Sequence, residues 1–134
     1  MSVLNLVIPE TPVSQPRPRV TRYGTYDPAR DKKNLVRLHI GDQLPIDTAL
    51  FPLSCPVSLT FAFLMPIPRS YSPKKQQALV STPHVKKPDI DNLLVLYLNA
   101  LSKGLVYKDD NQVHSVTMSK YYSLHPRTEI TVSW

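Results

Sequence analysis

The apolar positions of this chain fall into short runs separated by proline. Val3 to Ile8 forms a first run that reads as a strand, closed by Pro9 and Pro12. Val57 to Met65 is rich in β-forming residues and stops at Pro66 and Pro68, the pattern of a central strand. Ile90, Leu93, Leu94, Tyr97, Leu98 and Leu101 recur at spacings of three and four, which places them on one helical face, with Gly104 following as a C-terminal cap. Gln112 to Tyr122 and Thr128 to Trp134 alternate in part and read as two strands that pair with each other.

The weaker signals lie between these. Asp27 or Pro28 opens a short helix through Arg37, and Gly41 to Ser54 is irregular. Ser72 and Pro73 read as a cap and first helical position, followed by the short basic helix that begins at Lys74 and Lys75. Residues 13 to 30 mix Pro, Arg and Tyr without an apolar period and read as an extended basic loop or hairpin. Arg17, Arg19 and Arg22 would there be placed to track phosphates, against the plainer reading of a solvated loop.

Composition narrows the class. With 134 residues the chain has the size of a single domain, 1–134. Sixteen Lys and Arg against ten Asp and Glu leave a formal charge of +6, which favours polyanionic partners such as nucleic acid. The single cysteine, Cys55, excludes an internal disulfide and a cysteine-based zinc cluster, and its apolar surroundings mark a structural thiol. No apolar stretch approaches the roughly 20 residues of a membrane span, so a cytoplasmic protein is expected.

Candidate chemistry concentrates in two acidic pairs. Pro88 holds its predecessor extended, and Asp89, Ile90 and Asp91 then enter the helix with Ile90 inward and both carboxylates on one side. Simple helix capping is the competing reading. The helix to Lys103 rises roughly 18 Å at ~1.5 Å per residue, and residues 104 to 110, if extended, return about as far, so that Asp109 and Asp110 can reach Asp89 and Asp91. Asp109, Asp110 and Asn111 can equally form only a turn. Hard oxygen donors without thiolates suit Mg²⁺, with Mn²⁺ as the alternative, rather than zinc. Asn92 is placed to orient the carboxylates, and Lys74, Lys75, Lys86 and Lys87 to draw DNA towards them. His84 stands in a polar loop with no assigned role beyond a DNA contact or proton transfer.

The run His84-Val-Lys-Lys-Pro-Asp-Ile-Asp-Asn-Leu-Leu, then Asn99-Ala-Leu, Gly104-Leu-Val-Tyr and Asp109-Asp-Asn-Gln-Val resembles the RusA family of phage and prophage Holliday-junction resolvases over residues 84 to 113. The resemblance implies an α+β fold with a mixed sheet packed against helices, and a homodimer, because a four-way junction needs paired cuts. It also implies an essential acidic site at Asp89, Asp91 and Asp110. One departure stands out: the family commonly carries a lysine one turn beyond the Asp-x-Asp-Asn run, where this chain has Val95. Lys86, Lys87 or Lys103 would have to supply that charge from another direction. Two rivals remain, a non-catalytic DNA- or junction-binding protein whose aspartates cap helices, and a nuclease that prefers other branched DNA.

Overall fold

In a computed structural model, residues 1–16, 19–46 and 49–134 are described; Arg17, Pro18, Asp47 and Thr48, and the side chains of Arg19 and Tyr26, lie outside that description. The elements are β1 (Val3–Ile8), β2 (Arg19–Thr21), β3 (Gly24–Tyr26), α1 (Arg30–Gln43), β4 (Val57–Pro66), α2 (Pro73–Leu79), α3 (Ile90–Leu101), a 3-10 turn (Asp110–Gln112), β5 (Val113–Ser123) and β6 (Arg127–Ser133). A mixed sheet with three helices is an α+β fold, as expected. The chain divides into two compact units, and each is discontinuous in sequence. One comprises Met1–Pro12, Cys55–Lys87 and Val113–Trp134; the other comprises Val13–Ser54 and Pro88–Gln112.

The first unit holds a four-stranded sheet in the order β1-β6-β4-β5, with β4 parallel to β5 and the other pairs antiparallel. Alternation decides its faces. Val57, Leu59, Phe61, Phe63 and Met65 of β4 are all buried, in register with Val132, Ile130 and Thr128 of β6, which in turn pair with Leu4, Leu6 and Ile8 of β1. The other face carries Ser58, Thr60, Ala62 and Leu64, flanked by Ser115, Thr117, Ser119 and Tyr121 on β5 and by Ser133, Thr131, Glu129 and Arg127 on β6. The last two strands do not pair with each other, against expectation, because β4 lies between them. Its alternate residues are buried so completely that it takes a neighbour on each edge. Residues 81–84 cover the later half of β5's outer edge: the amides of Ser81 and His84 donate to the carbonyls of Tyr122 and Lys120, and the Tyr122 amide donates to the carbonyl of Thr82. In α2 the Ser72 hydroxyl accepts the Lys75 amide at 3.2 Å, with Pro73 at the first position, as the sequence predicts.

The second unit contains the β2–β3 hairpin within the predicted basic segment, and helices α1 and α3 in contact. Helix α1 begins later and ends later than the sequence pattern suggests. It runs to Gln43 because Val36 and Ile40, one turn apart, are both buried and Gly41 is carried within the helix. In α3 the buried residues are Leu93, Leu96, Tyr97, Ala100 and Leu101, so the face that meets the core is rotated from the one inferred through Ile90, Leu94 and Leu98. No basic residue occupies the last turn of α3. Arg37 of α1 supplies the charge there: its Nη1 donates to the carbonyls of Ala100 at 2.9 Å and Ser102 at 2.8 Å.

Asp27 ties the N-terminal part of this unit together. Its carboxylate accepts from Lys33 Nζ at 2.7 Å, Gln15 Nε2 at 2.8 Å and the Ala29 amide at 2.9 Å. The Gln15 amide in turn donates to the carbonyl of Asn92 at 3.0 Å, and the Val13 amide to Tyr97 Oη at 3.2 Å, so residues 13–15 are laced to α3. The bond from Lys33, followed by the bonds from Ala29 and Gln15, holds the Asp27 carboxyl down at about 2, below its ordinary 3.8. The folded protein therefore resists protonating Asp27 more than the unfolded chain does. The resulting stability is complete above pH 3.8 and is lost as the pH falls towards 2. Denaturant unfolding followed between pH 6 and pH 2 should show this loss, and Asp27→Asn should be less stable at pH 6 and show a shallower acid limb. An unchanged limb in the variant would contradict it.

Candidate active site

All four predicted carboxylates belong to the segment Pro88–Gln112 of one unit. Asp89 is the N-cap residue of α3, with φ −68° and ψ 146°, the extended approach that Pro88 implies. It occupies the capping position, yet its side chain makes no capping hydrogen bond. The capping reading therefore does not account for this carboxylate. Asp91 sits in the first turn of α3, exposed, and its Oδ1 accepts only a local bond from the Asn92 amide at 3.0 Å. Both negative charges lie at the positive end of the helix dipole, which tempers their repulsion.

The chain reverses beyond α3, but not as an extended return. Ser102 ends the helix in extended conformation, and Lys103 (φ 58°) and Gly104 (φ 82°) follow in the left-handed region, which glycine adopts without strain. The Val106 and Tyr107 amides then both donate to the carbonyl of Leu101, at 2.9 and 3.4 Å. The backbone is thus held at the end of the helix, and the Tyr107 side chain reaches back instead. Its hydroxyl lies 3.2 Å from the Leu98 carbonyl and 3.5 Å from Asp110 Oδ1. Burial, and secondarily the charge of Asp110, raise the Tyr107 phenol above its ordinary range, so it stays a neutral donor beside that carboxylate.

Asp110 opens the 3-10 turn and is half-buried. Asp109 is exposed, and its Oδ1 accepts the Asn111 amide at 3.1 Å, the turn that the alternative reading allowed for it. Gln112 organises this loop. Its Oε1 accepts the amides of Lys108 and Asp109, both at 2.9 Å, while its Nε2 donates to the carbonyl of Leu53 at 2.9 Å. Neither Tyr107 nor Gln112 is marked by sequence reasoning as serving the site. The only available signal for Gln112 is its place in the Asp-Asp-x-Gln-Val run.

The four carboxylates are hard oxygen donors of the kind that Mg²⁺ takes. Among the described residues, however, no three His, Cys, Asp or Glu side chains are gathered closely enough to hold a metal ion. Asp110 is tied to the far part of α3 through Tyr107, whose hydroxyl lies near both the Leu98 carbonyl and Asp110 Oδ1. Asp89 and Asp91 are brought together by one helix start. Asp110 is held in the same unit by the loop that follows the helix.

Of the predicted DNA contacts, Arg17 and the side chain of Arg19 lie outside the described residues. Arg22 is exposed at the hairpin turn, its guanidinium 4.9 Å over the Tyr23 ring. Lys74 and Lys75 are exposed on α2, with Lys75 Nζ 3.9 Å over Tyr71, and Lys86 and Lys87 are exposed immediately before Pro88. Val95 is exposed on α3. His84 stands in a loop, as its neighbours suggest, but is not solvated there. It is buried edge-on against Tyr122, its Nδ1 has no partner among the described residues, and burial lowers its basicity, helped by the charges of Lys120 and Lys86.

Charge is divided unevenly between the units. The sheet unit carries seven of the sixteen Lys and Arg and only two of the ten acidic residues, a formal +5; the helical unit carries nine and eight, a formal +1. Among the described residues no helix is long and apolar enough to cross a membrane.

Comparison with known proteins agrees with this layout. Over 142 aligned residues the chain is 33% identical to an uncharacterised protein, YqaN of Bacillus subtilis (strain 168), an alignment covering 98% of this chain and 96% of that protein. The family model described as Endodeoxyribonuclease RusA matches residues 9–133, nearly the whole length and all of the acidic segment. The chain belongs to the RusA endodeoxyribonuclease family.

Proposed function

We propose that this protein, acting as a single domain over 1–134, is a Mg²⁺-dependent, structure-specific endonuclease. In this reading it resolves four-way DNA junctions by paired phosphodiester hydrolysis, as a homodimer in recombination and repair, inside a bacterial cell and from a phage or prophage gene. Family membership supports the chemistry. The observation that carries the reading to the residues is Asp89, a carboxylate at a helix N-cap that makes no capping bond and so stays available to a metal ion.

In this reading Asp89, Asp91 and Asp110 hold one or two metal ions, with Asp109 as a further ligand and Asn92 orienting the first pair. Bound Mg²⁺ would polarise the scissile phosphate and make an attacking water acidic enough to ionise near neutral pH. The chain's own residues do the rest. The Tyr107 hydroxyl, 3.2 Å from the Leu98 carbonyl and 3.5 Å from Asp110 Oδ1, limits where the Asp110 carboxylate can sit, Gln112 holds the loop on which Asp110 stands, and α3 presents Asp89 and Asp91 from a rigid element. Arg17, Arg19, Arg22, Lys74, Lys75, Lys86 and Lys87 attract the DNA backbone, which the acidic centre alone would repel.

The decisive assay uses a labelled synthetic four-way junction with a linear duplex control, in Mg²⁺ or EDTA. The wild type should make paired, Mg²⁺-dependent cuts in the junction only, and Asp91→Asn should bind the junction with near wild-type affinity and fail to cut. Binding without cutting in Mg²⁺ or Mn²⁺ would return the protein to the non-catalytic reading; cutting of flaps or nicked duplex in preference to junctions would move it to another branched substrate.

Tyr107→Phe removes the hydroxyl beside Asp110 while keeping the buried ring. Cleavage should fall about ten- to a hundredfold, the range for groups that orient metal ligands, and raising the Mg²⁺ concentration should recover part of it. Full activity at limiting Mg²⁺ would remove Tyr107 from the site.

Val95→Lys restores the family's usual residue at an exposed position where no core packing is at stake. If the missing charge limits the rate, single-turnover cleavage should rise on the order of tenfold. An unchanged rate would mean that another cation already serves.

A further inference from the structure

The polar face of the sheet ends in a cavity of about 370 Å³, lined by Leu64, Ser81, Tyr121, Tyr122, Ser123 and Arg127. The register explains its composition. Leu64 pairs with Tyr121 on one side and Arg127 on the other, so an aromatic ring, an aliphatic side chain and a guanidinium stand in one row on the same face. The preceding rows on that face are Ser119, Ala62 and Glu129, then Thr117, Thr60 and Thr131. Apart from Glu129 they are small, and Tyr121 is the first ring on that face.

Each part of the row has a chemistry. Tyr121 is 40% exposed for a ring on a sheet whose opposite face is core. The Arg127 guanidinium is fixed at the rim by Nη1 donating to the His125 carbonyl at 2.8 Å and by Nη2 lying 3.6 Å from Glu129. Ser81, held in the left-handed region at φ 65° with its amide on the Tyr122 carbonyl, closes the outer side. An exposed ring on an open sheet is the surface on which unpaired bases stack, and an oriented guanidinium beside it recognises phosphate. The formal +5 of this unit favours a polyanion over an uncharged ligand, and the volume suits one nucleotide.

We propose that this cavity binds one unpaired nucleotide of the DNA substrate, its base stacked on Tyr121 over Leu64 and its phosphate on Arg127. The proposal rests on the reading of the chain as a nuclease of branched DNA, and adds to it a contact for unstacked bases that is separate from the carboxylates.

The test is fluorescence anisotropy in EDTA with a labelled oligo-dT single strand, beside a duplex of equal length. Wild type should bind the single strand, and Tyr121→Ala and Arg127→Gln should each weaken that binding about tenfold, as expected for loss of one stacked base or one phosphate contact. Tyr121→Phe should stay near wild type, and duplex binding should change little. Equal single-strand affinity in Tyr121→Ala and wild type, or no single-strand binding by the wild type, would overturn the proposal. Should a variant unfold, photo-crosslinking of wild type to an oligonucleotide carrying 5-iodouracil decides instead: a crosslink at Tyr121 supports the site, and crosslinks only elsewhere overturn it. Asp91→Asn should bind the single strand like wild type. Stacking at Tyr121 without junction cleavage would therefore sink the nuclease reading and leave this one standing, and the reverse result would do the opposite.

Discussion

The candidate site depends on how the carboxyl end of α3 is closed. A helix leaves its last carbonyls without partners, and here Arg37 donates to Ala100 and Ser102 and the Val106 and Tyr107 amides share Leu101, while the Tyr107 hydroxyl adds to the bond that the Ser102 amide already gives Leu98. These bonds close the helix terminus and at the same time bring in other parts of the chain. Arg37 comes from α1, and Tyr107 carries the loop that bears Asp110. Were the helix to fray there, both the packing of α1 on α3 and the position of the third carboxylate would be lost together.

The amino end of the same helix is the functional counterpart. Its free amides and dipole tolerate Asp89 and Asp91, and among the described residues neither side chain is taken up by a long-range interaction. The segment Val13–Gln15 is bonded to Asn92 and Tyr97, so the basic N-terminal hairpin is anchored to the helix that presents these carboxylates. Asp27 reinforces that anchor through Gln15 and Lys33. Acidic residues thus differ within one unit: Asp27 accepts three donors, whereas Asp89 makes no capping bond and Asp91 accepts the neighbouring Asn92 amide.

The division of charge follows the same logic. Eight of the ten acidic residues fall in the helical unit, and the sheet unit is left strongly basic, with one face of mainly polar side chains. The row of Tyr121, Leu64 and Arg127 gives the basic surface a shape as well as a charge.

Local signals in the sequence determined a good deal. Proline positions and alternation marked β1, β4 and the capped α2; the three-four spacing marked α3; and Pro88 with the two acidic pairs marked the candidate site and, with the surrounding motif, the family. These features depend on neighbours a few residues apart, where steric exclusion and side-chain periodicity act directly. Tertiary structure decided what depends on distant partners. It inserted β4 between β5 and β6, extended α1 through Gly41, rotated the buried face of α3, replaced an extended return by the reach of Tyr107, and buried His84. None of these could be read locally, because each is set by which surface a residue meets once the core has closed, and a strand or helix pattern states only that a face is apolar, not what will cover it.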